Sequence, residues 1–290
     1  MTMNKQENAA NLASLPRPLV AVMSSGFFGF FAHAGFLQGL ADLGLTPDAY
    51  AGSSSGALVA AFAAGGASPR RMLELFVQLG RRDFWDPPSP AATLRWLIGG
   101  LRGRSGYLAG EAFERLLQEY LPVTRFEDCP HPCLMSALDL TSARRVILTR
   151  GSLPHAVRAS GAVPALFAAV PHEGGLLVDG GLVDKAPLTA SADHLGAATL
   201  MSHILPSSSL ESGPEQTLAR SLAPLRVQSR SVDAARWQGY LDQKDEVTRR
   251  GLALREVVAQ NIPRCGPKRM HHGPAAFAAA RANAIKILGE

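Results

Sequence analysis

The chain has few cysteines and few charged side chains, and both scarcities restrict the kind of protein that it encodes. Its 290 residues include three cysteines, which is typical of a reducing compartment and predicts no disulfide framework. Cys129 and Cys133 flank His131 in CPHPC, but no second thiol pair follows, so we expect reduced cysteines and no metal site. Charged residues make up 18% of the chain, the net charge is +5 and no dense basic stretch occurs, so we expect no nucleic-acid partner.

Long hydrophobic runs are also absent. The most apolar window, residues 26–40, is too short and too rich in glycine to span a bilayer. The first eighteen residues lack the apolar core of a secretory signal. Apolar residues nevertheless account for 47% of the chain, enough for one large folded domain. The sequence therefore predicts a cytoplasmic protein whose contact with a membrane, if any, is peripheral.

Short apolar runs alternate with helical patterns through the first two thirds of the chain. The runs LVAVMSS (19–25) and DAYAGS (48–53) predict strands, and apolar residues at helical spacing follow each of them. Strand, helix, strand and helix in close succession are typical of a parallel α/β sheet. We therefore predict a largely parallel central sheet flanked by helices. Further helices are predicted over 69–78, 111–121 and from 153, and further strands over 133–151, from 175 and over 198–206.

The two ends of the chain differ from this α/β pattern. A polar tail over 1–18 is predicted to be disordered, and the α/β domain extends over 19–206. Polar helical patterns then cover residues 214–260 and 274–288. Residues 207–290 are therefore predicted to be a helical region that packs on the α/β domain.

Three consecutive serines stand between glycines in GSSSG (52–56). Only Ser54 has a glycine two residues away on each side, Gly52 and Gly56. This arrangement fits G-x-S-x-G, in which a tight strand-to-helix turn exposes a nucleophilic serine and small residues must flank it. The required strand and helix are both predicted here, and the helix N-terminus favours negative charge beside Ser54. The alternative is an ordinary turn whose serines cap the helix.

Two further motifs are predicted to end at the same edge of the sheet. Gly26 and Gly29 stand where the first strand gives way to the first helix, and such a loop can turn its N–H groups toward a ligand. Asp179 ends an apolar strand and precedes Gly180 and Gly181. The carboxyl ends of strands are where α/β sheets hold functional groups, although Asp-Gly pairs also form ordinary turns.

The order of these blocks, with ASGAVPALF (159–167) before the aspartate, resembles the patatin-like phospholipases over residues 19–206. The resemblance implies a three-layer fold and a Ser–Asp dyad, with Ser54 as nucleophile and Asp179 as general base. It also implies hydrolysis of lipid acyl esters without a metal or an organic cofactor. The oxyanion hole that it implies uses backbone N–H groups of Ser25, Gly26, Phe27 and Ser55.

The first loop departs from the pattern G-G-G-x-R/K-G that is usual in the family. Here it reads SSGFFG (24–29), so two glycines are replaced by serines and the basic residue by Phe28. Serine keeps a backbone N–H, which preserves an oxyanion hole, whereas loss of the cation weakens the case for phospholipid head-group recognition. The competing hypothesis is a catalytically impaired lipid-binding or regulatory protein on the same scaffold.

A different class of hydrolase would require a histidine. α/β-Hydrolases use the order Ser…Asp…His. None of the histidines that follow Asp179 has a distinctive setting, and the nucleophile of that class stands later in the sheet than the second strand, so we expect the dyad. These histidines are His194, His203, His271 and His272.

The segment 84–108 combines apolar, aromatic and basic residues. Such a helix can rest on a lipid surface, cover an acyl groove, or pack as an ordinary helix on the sheet. The crowded phenylalanines after the first strand leave a similar choice between an acyl-chain wall and core. The residues concerned are Leu94, Leu97, Ile98 and Leu101 with Trp96, Arg95, Arg102 and Arg104, and Phe27, Phe28, Phe30 and Phe31.

Overall fold

A computed structural model describes residue 12 and residues 14–211, 214–218 and 221–290. Within these residues the strands, in chain order, are β1 (Leu19–Met23), β2 (Ala49–Ser53), β3 (Gly106–Leu108), β4 (Cys133–Asp139), β5 (Arg144–Leu148), β6 (Ala165–Phe167), β7 (Val170–His172), β8 (Gly175–Asp179), β9 (Thr199–Ile204) and β10 (Ala253–Val258). The main sheet has the order β10-β9-β1-β2-β4-β8-β7, with β5 also paired to β4, and β3 pairs with β6 separately. The first five strands of this order, from β10 at the edge to β4, are parallel to their neighbours. Strands β5, β8 and β7 add antiparallel pairings at the other end.

Helices connect most of these strands. In chain order they are α1 (Phe30–Asp42), α2 (Ser55–Ala64), α3 (Pro69–Gln78), α4 (Arg81–Phe84), α5 (Pro90–Ile98), α6 (Glu111–Tyr120), α7 (Leu153–Ser160), α8 (Leu188–Leu195), α9 (Ser208–Glu211), α10 (Pro214–Leu218), α11 (Ala223–Arg249) and α12 (Gly273–Gly289). Single turns of 3-10 helix lie at Phe126–Asp128, Gly180–Leu182 and Met270–His272. Within the described residues, none of the helices combines the length and the apolar character needed to cross a bilayer.

Strand β1 shows why the sheet is covered on both faces. All five of its residues are buried, since alternate side chains enter different apolar clusters. Leu19, Ala21 and Met23 pack with α1, α2 and α12, whereas Val20 and Val22 pack with α8 and α11. The result is a helix–sheet–helix arrangement in three layers.

The register of the sheet brings separate chain segments to one edge. β1 and β2 are parallel neighbours, so the loop after β1 lies beside the turn after β2. Ser53, at the end of β2, pairs with Ser136 of β4. The next residue of β4, Ala137, pairs with Asp179, the last residue of the antiparallel strand β8. This pairing places Asp179 next to the β2–α2 turn.

The predicted fold class is confirmed, since a mostly parallel sheet lies between helices. Helix α3 forms with the predicted bounds because Ser68 accepts the Arg71 N–H as an N-cap and Pro69 begins the helix.

The structure differs from the predictions at both chain ends. Residues 253–258 form β10, parallel to β9, rather than a helix, so the C-terminal region also completes one edge of the sheet. At the other end, the described part of the tail that was predicted to be disordered contacts the α/β domain: Leu12 is buried, and Thr199 Oγ1 donates to the Pro16 carbonyl oxygen at 2.6 Å. Residues 1–11 and 13 of that tail lie outside the described residues.

Candidate active site

Ser54 lies in the tight turn between β2 and α2. Its φ of 54° falls in the left-handed region, which is strained for a residue with a side chain. The flanking glycines are needed for close approach of the backbone. A Cβ on Gly52 would come within 2.2 Å of the Gly56 backbone, and a Cβ on Gly56 within 2.2 Å of the Met23 carbonyl oxygen. The predicted G-x-S-x-G turn is thus present, and local backbone strain is concentrated at its central serine.

Asp179 accepts a hydrogen bond from the hydroxyl of this serine. Ser54 Oγ donates to Asp179 Oδ2 at 2.7 Å, and the Gly181 N–H donates to Oδ1 at 2.7 Å. A Cβ on Gly180 would lie 2.0 Å from the Ser136 carbonyl oxygen, so β4 leaves room only for glycine there. Burial raises the pKa of Asp179 above its usual range, although its two hydrogen bonds and nearby positive charge act in the opposite direction.

The segment 159–167 holds the backbone of both residues. The Ser54 N–H donates to Ser160 Oγ at 2.9 Å, and the Asp179 N–H donates to the Ala162 carbonyl oxygen at 2.9 Å. Ser160 is fully buried at the end of α7. The sequence analysis placed this segment at the site but did not identify the role of Ser160. The pattern that could have identified it is a serine on the apolar face of the predicted helix.

The loop SSGFFG (24–29) is fastened through its two serines. Ser24 Oγ accepts the Leu205 N–H at 2.9 Å, and the Ser25 N–H donates to the Lys185 carbonyl oxygen at 2.7 Å. Because that N–H is engaged, Ser25 is not available as the oxyanion donor that was predicted. Of the predicted donors, those whose N–H has no protein acceptor among the described residues are Gly26, Phe27 and Ser55.

The histidines lie apart from this pair. All eight are within the described part of the chain, and none forms a hydrogen bond with Ser54 or Asp179 there. His203 is buried against His33, with 2.8 Å between their Nδ1 atoms. Burial lowers the pKa of His33 to about 3 and holds the pKa of His203 well below its usual value, so both rings are uncharged at neutral pH. The remaining histidines after Asp179 are His194, His271 and His272. The geometry therefore does not support the Ser…Asp…His alternative.

Two cavities meet at Ser54. One, of about 110 Å³, has an apolar lining. The other, of about 520 Å³, has a mixed polar and apolar lining, borders Asp179 and is called the polar cleft below. Gly26, Phe27 and Phe28 border both cavities. Phe30 lines only the apolar cavity, whereas Phe31 is buried in the core. Other side chains of the apolar cavity include Leu58, Leu75, Phe76, Leu79, Phe113 and Val157. The polar cleft includes Asp233, Arg236, Arg264 and Arg269.

The apolar and basic segment 84–108 forms α4 and α5. No residue of helix α5 is fully buried, and Ala92, Thr93 and Trp96 are half-buried. Ile98 is 78% exposed, and Leu94, Leu97 and Leu101 are exposed beside it. Among the described residues, no group of three or more His, Cys, Asp or Glu side chains is arranged to hold a metal ion.

Comparison with known families identifies the scaffold. Residues 21–191 match the profile of the family described as patatin-like phospholipase. The chain belongs to the patatin-like phospholipase family. The matched region includes Ser54, Asp179 and the segment 159–167, and it ends within α8. The helices α11 and α12 and the strand β10 lie beyond it.

Relatives and a solved structure agree with this assignment. An uncharacterised NTE family protein of Mycobacterium tuberculosis (strain ATCC 25618 / H37Rv) is 32% identical over 182 residues, 62% of this chain and 47% of that protein. The lysophospholipase NTE1 of Mycosarcoma maydis is 27% identical over 190 residues, 64% of this chain and 10% of that protein. The chain thus spans less than half of either relative. The crystal structure of VipD from Legionella pneumophila has a similar fold, with a TM-score of 0.50 at 12% identity, and the match covers 94% of this chain and 67% of that one.

Proposed function

We propose that this protein is a serine acyl hydrolase of lipid esters, with Ser54 as nucleophile and Asp179 as general base. The observation that carries the proposal is the 2.7 Å hydrogen bond from Ser54 Oγ to the buried Asp179 Oδ2, at a strained turn between two cavities. A raised pKa makes the Asp179 carboxylate a stronger proton acceptor than an exposed one. Membership of a family described as phospholipases supports the same substrate class.

In the proposed reaction, Ser54 Oγ attacks the acyl carbonyl carbon while Asp179 Oδ2 takes the hydroxyl proton. The carbonyl oxygen becomes negative and is stabilised by the backbone N–H groups of Gly26, Phe27 and Ser55. The ester C–O bond then breaks, and Asp179 returns the proton to the leaving alcohol oxygen. A water molecule attacks the acyl-serine, gives its proton to Asp179 and releases the fatty acid, after which Ser54 regains the proton.

The two cavities indicate an amphiphilic substrate. An acyl chain fits the apolar cavity, because the hydrophobic effect favours removing it from water. The polar cleft on the other side contains Arg264 and Arg269, whose guanidinium groups suit a phosphate. We therefore propose monoacyl phospholipids as the substrate class. The cleft supplies the cations that the sequence SSGFFG lacks.

A fluorophosphonate probe, which reacts with activated serines, tests the nucleophile directly. We expect labelling and p-nitrophenyl ester hydrolysis in the wild type, and loss of labelling in Ser54→Ala. Hydrolysis should fall at least 10³-fold in Ser54→Ala and Asp179→Asn, since the pair acts as a unit. Ser55→Ala is the matched control, because it removes the neighbouring hydroxyl and keeps the N–H. A folded wild type that is not labelled would favour the lipid-binding alternative, and loss of activity on replacing His194, His203, His271 or His272 would favour a triad.

We further propose that the protein meets lipid surfaces with Phe27 and α5. Phe27 is 61% exposed at the rim of both cavities, and the exposed leucines and isoleucine of α5 lie close to Arg95 and Arg102 in sequence. Anionic lipids attract such arginines while the apolar side chains enter the interface. Co-sedimentation with anionic vesicles should therefore occur and should weaken in Ile98→Asp. The control Val77→Asp changes an exposed apolar residue on α3 and should leave sedimentation unchanged; an equal loss in both variants would contradict the assignment.

A further inference from the structure

Helix α11 brings a cation to a loop that has none of its own. The loop SSGFFG (24–29) contains no basic residue, but Arg236 of α11 donates from Nη2 to Ser25 Oγ at 2.6 Å. Its Nη1 lies 2.6 Å from Asp233 Oδ1, and only 17% of the Arg236 side chain is exposed. Because few water molecules reach the guanidinium, its bond to the Ser25 hydroxyl is a strong, charge-assisted contact.

Ser25 connects this guanidinium to the proposed dyad. A Cβ placed on Gly181 would lie 2.6 Å from Ser25 Oγ and 2.8 Å from Asp179 Oδ1, so the backbone of Gly181 touches both residues. The two residues after Ser25 are Gly26 and Phe27, which carry N–H groups of the proposed oxyanion hole. A contact that fixes the Ser25 side chain therefore also fixes the start of that loop.

The charge of Arg236 acts on the proposed general base. Burial is the main influence on the pKa of Asp179 and raises it, whereas the positive charge of Arg236 acts to lower it. Among the described residues, other charged groups near Arg236 include Asp233 and the buried Lys185. Burial and the charge of Arg236 together lower the pKa of Lys185 to about 8. Arg264 and Arg269 line the same cleft. Arg236 thus favours the carboxylate form of Asp179, which is the form that accepts a proton.

Helix α11 is held firmly against the segment that follows Asp179. Gln243 Nε2 donates to the buried Asp184 Oδ1 at 2.8 Å, and Gln243 Oε1 accepts the Thr189 N–H at 3.1 Å. Further along, Arg250 forms an ion pair with Asp193 at 2.6 Å. These contacts fix the position of the helix that carries Arg236.

We propose that Arg236 is a positioning residue of the active site, which holds Ser25 and the oxyanion loop in place and stabilises the carboxylate of Asp179 by its charge. This inference rests on the function proposed above. It adds to the site a residue from α11, beyond the region that matches the family. The fold would then require its C-terminal region for catalysis as well as for packing.

The test compares Arg236→Ala, Arg236→Lys and Ser25→Ala with Arg226→Ala, which alters an exposed arginine on the same helix whose Nε donates to the Ser221 carbonyl oxygen. Hydrolysis of a neutral p-nitrophenyl ester is followed from acid to neutral pH. We expect Arg236→Ala to lower kcat about 10-fold to 100-fold with little change in KM, since it loosens oxyanion donors. The acid limb of the pH–rate profile of Arg236→Ala should move to higher pH, because the pKa of Asp179 rises when a nearby positive charge is lost.

The other variants separate the hydrogen bond to Ser25 from the effect of the positive charge on Asp179. Ser25→Ala should lower kcat and leave the acid limb where it is, whereas Arg236→Lys should keep the acid limb and recover part of kcat. The inference would be overturned if Arg236→Ala matched Arg226→Ala, or if kcat fell with an unmoved acid limb and no rescue by lysine. Fluorophosphonate labelling of Ser54 in the wild type separates these outcomes from failure of the proposed function, in which the wild type itself would not be labelled.

Discussion

The two cavities that meet at Ser54 are built from different parts of the chain. The described lining of the apolar cavity comes from residues 26–167 with the addition of Met270, so it lies almost wholly within the region that matches the family. Much of the polar cleft comes from residues 205–276, which lie beyond that region. The two ends of an amphiphilic substrate would therefore be recognised by separate segments, and a substitution in one segment should alter selectivity at one end only.

Among the changes that distinguish the two cavities, filling the apolar cavity has the largest expected effect. Leu79 is a half-buried residue of its lining, and the cavity has only about 110 Å³ to lose. We expect Leu79→Trp to lower kcat/KM for long-chain p-nitrophenyl esters at least 10-fold relative to the acetyl ester, because each methylene that loses its place in a hydrophobic pocket costs about 1–3 kcal/mol. The measurement is a chain-length series at saturating and limiting substrate.

Val77→Trp provides the matched control for this change. Val77 lies in the last turn of α3, two residues before Leu79, is exposed and is absent from the lining, so its replacement should leave the chain-length profile unaltered. Equal effects of the two tryptophans, or a uniform loss for all chain lengths in Leu79→Trp, would argue against an acyl site in this cavity.

A smaller effect is expected from reversing a charge in the polar cleft. Arg269 lines the cleft, whereas its neighbour Lys268 does not. Arg269→Glu should raise KM for a lysophospholipid about 5-fold and leave KM for a neutral monoacyl ester unchanged, because exposed charges contribute about 1 kcal/mol. Lys268→Glu introduces the same charge one residue away. A similar rise in KM for both variants would indicate a general surface-charge effect rather than a head-group site.

Local patterns were sufficient for the part of the site that is built from single turns. G-x-S-x-G predicted the strand–turn–helix around Ser54, and the apolar run before Asp179 predicted the strand that ends there. In each case neighbouring residues determine the backbone. The direct contact between the two residues depends on the sheet register, which follows from strand pairing and was available only through the family resemblance.

The contacts that sequence reasoning missed join distant parts of the chain. Arg236 reaches Ser25 across 211 positions, and Ser160 reaches Ser54 across 106, so no local periodicity reveals either pair. The hydrogen bond from the Ser25 N–H was missed for the same reason, because its acceptor is the carbonyl oxygen of the distant Lys185. Strand β10 was missed because ALREVV (253–258) follows the polar helix α11 and has a polar Arg-Glu pair in its middle, while pairing with β9 determines its structure.

The smallest expected effect is on stability, and it concerns the residue between the two cavities. The folded-state pKa of Asp179 is raised above its ordinary value, so the folded protein holds this proton more tightly than the unfolded chain does. The contribution of Asp179 to stability is therefore most favourable in acid and falls as pH rises through the raised pKa. Asp179→Asn removes the buried charge and should stabilise the protein by about 1 kcal/mol at neutral pH, measured by denaturant unfolding.

Replacing Asp139 should change the stability of the protein in the opposite direction. Hydrogen bonds from Ser142 and from the Thr141 N–H lower the pKa of Asp139 to about 2, so its ionised form stabilises the fold at neutral pH and this contribution is lost in acid. Asp139→Asn should therefore destabilise the protein at neutral pH, and Asp179→Asn should stabilise it. Both differences should shrink as pH falls, because protonation makes each carboxyl as uncharged as its asparagine replacement. A destabilised Asp179→Asn would mean that the carboxylate contributes to folding, whereas a stabilised, inactive variant would show that this residue is retained for function at a cost to stability.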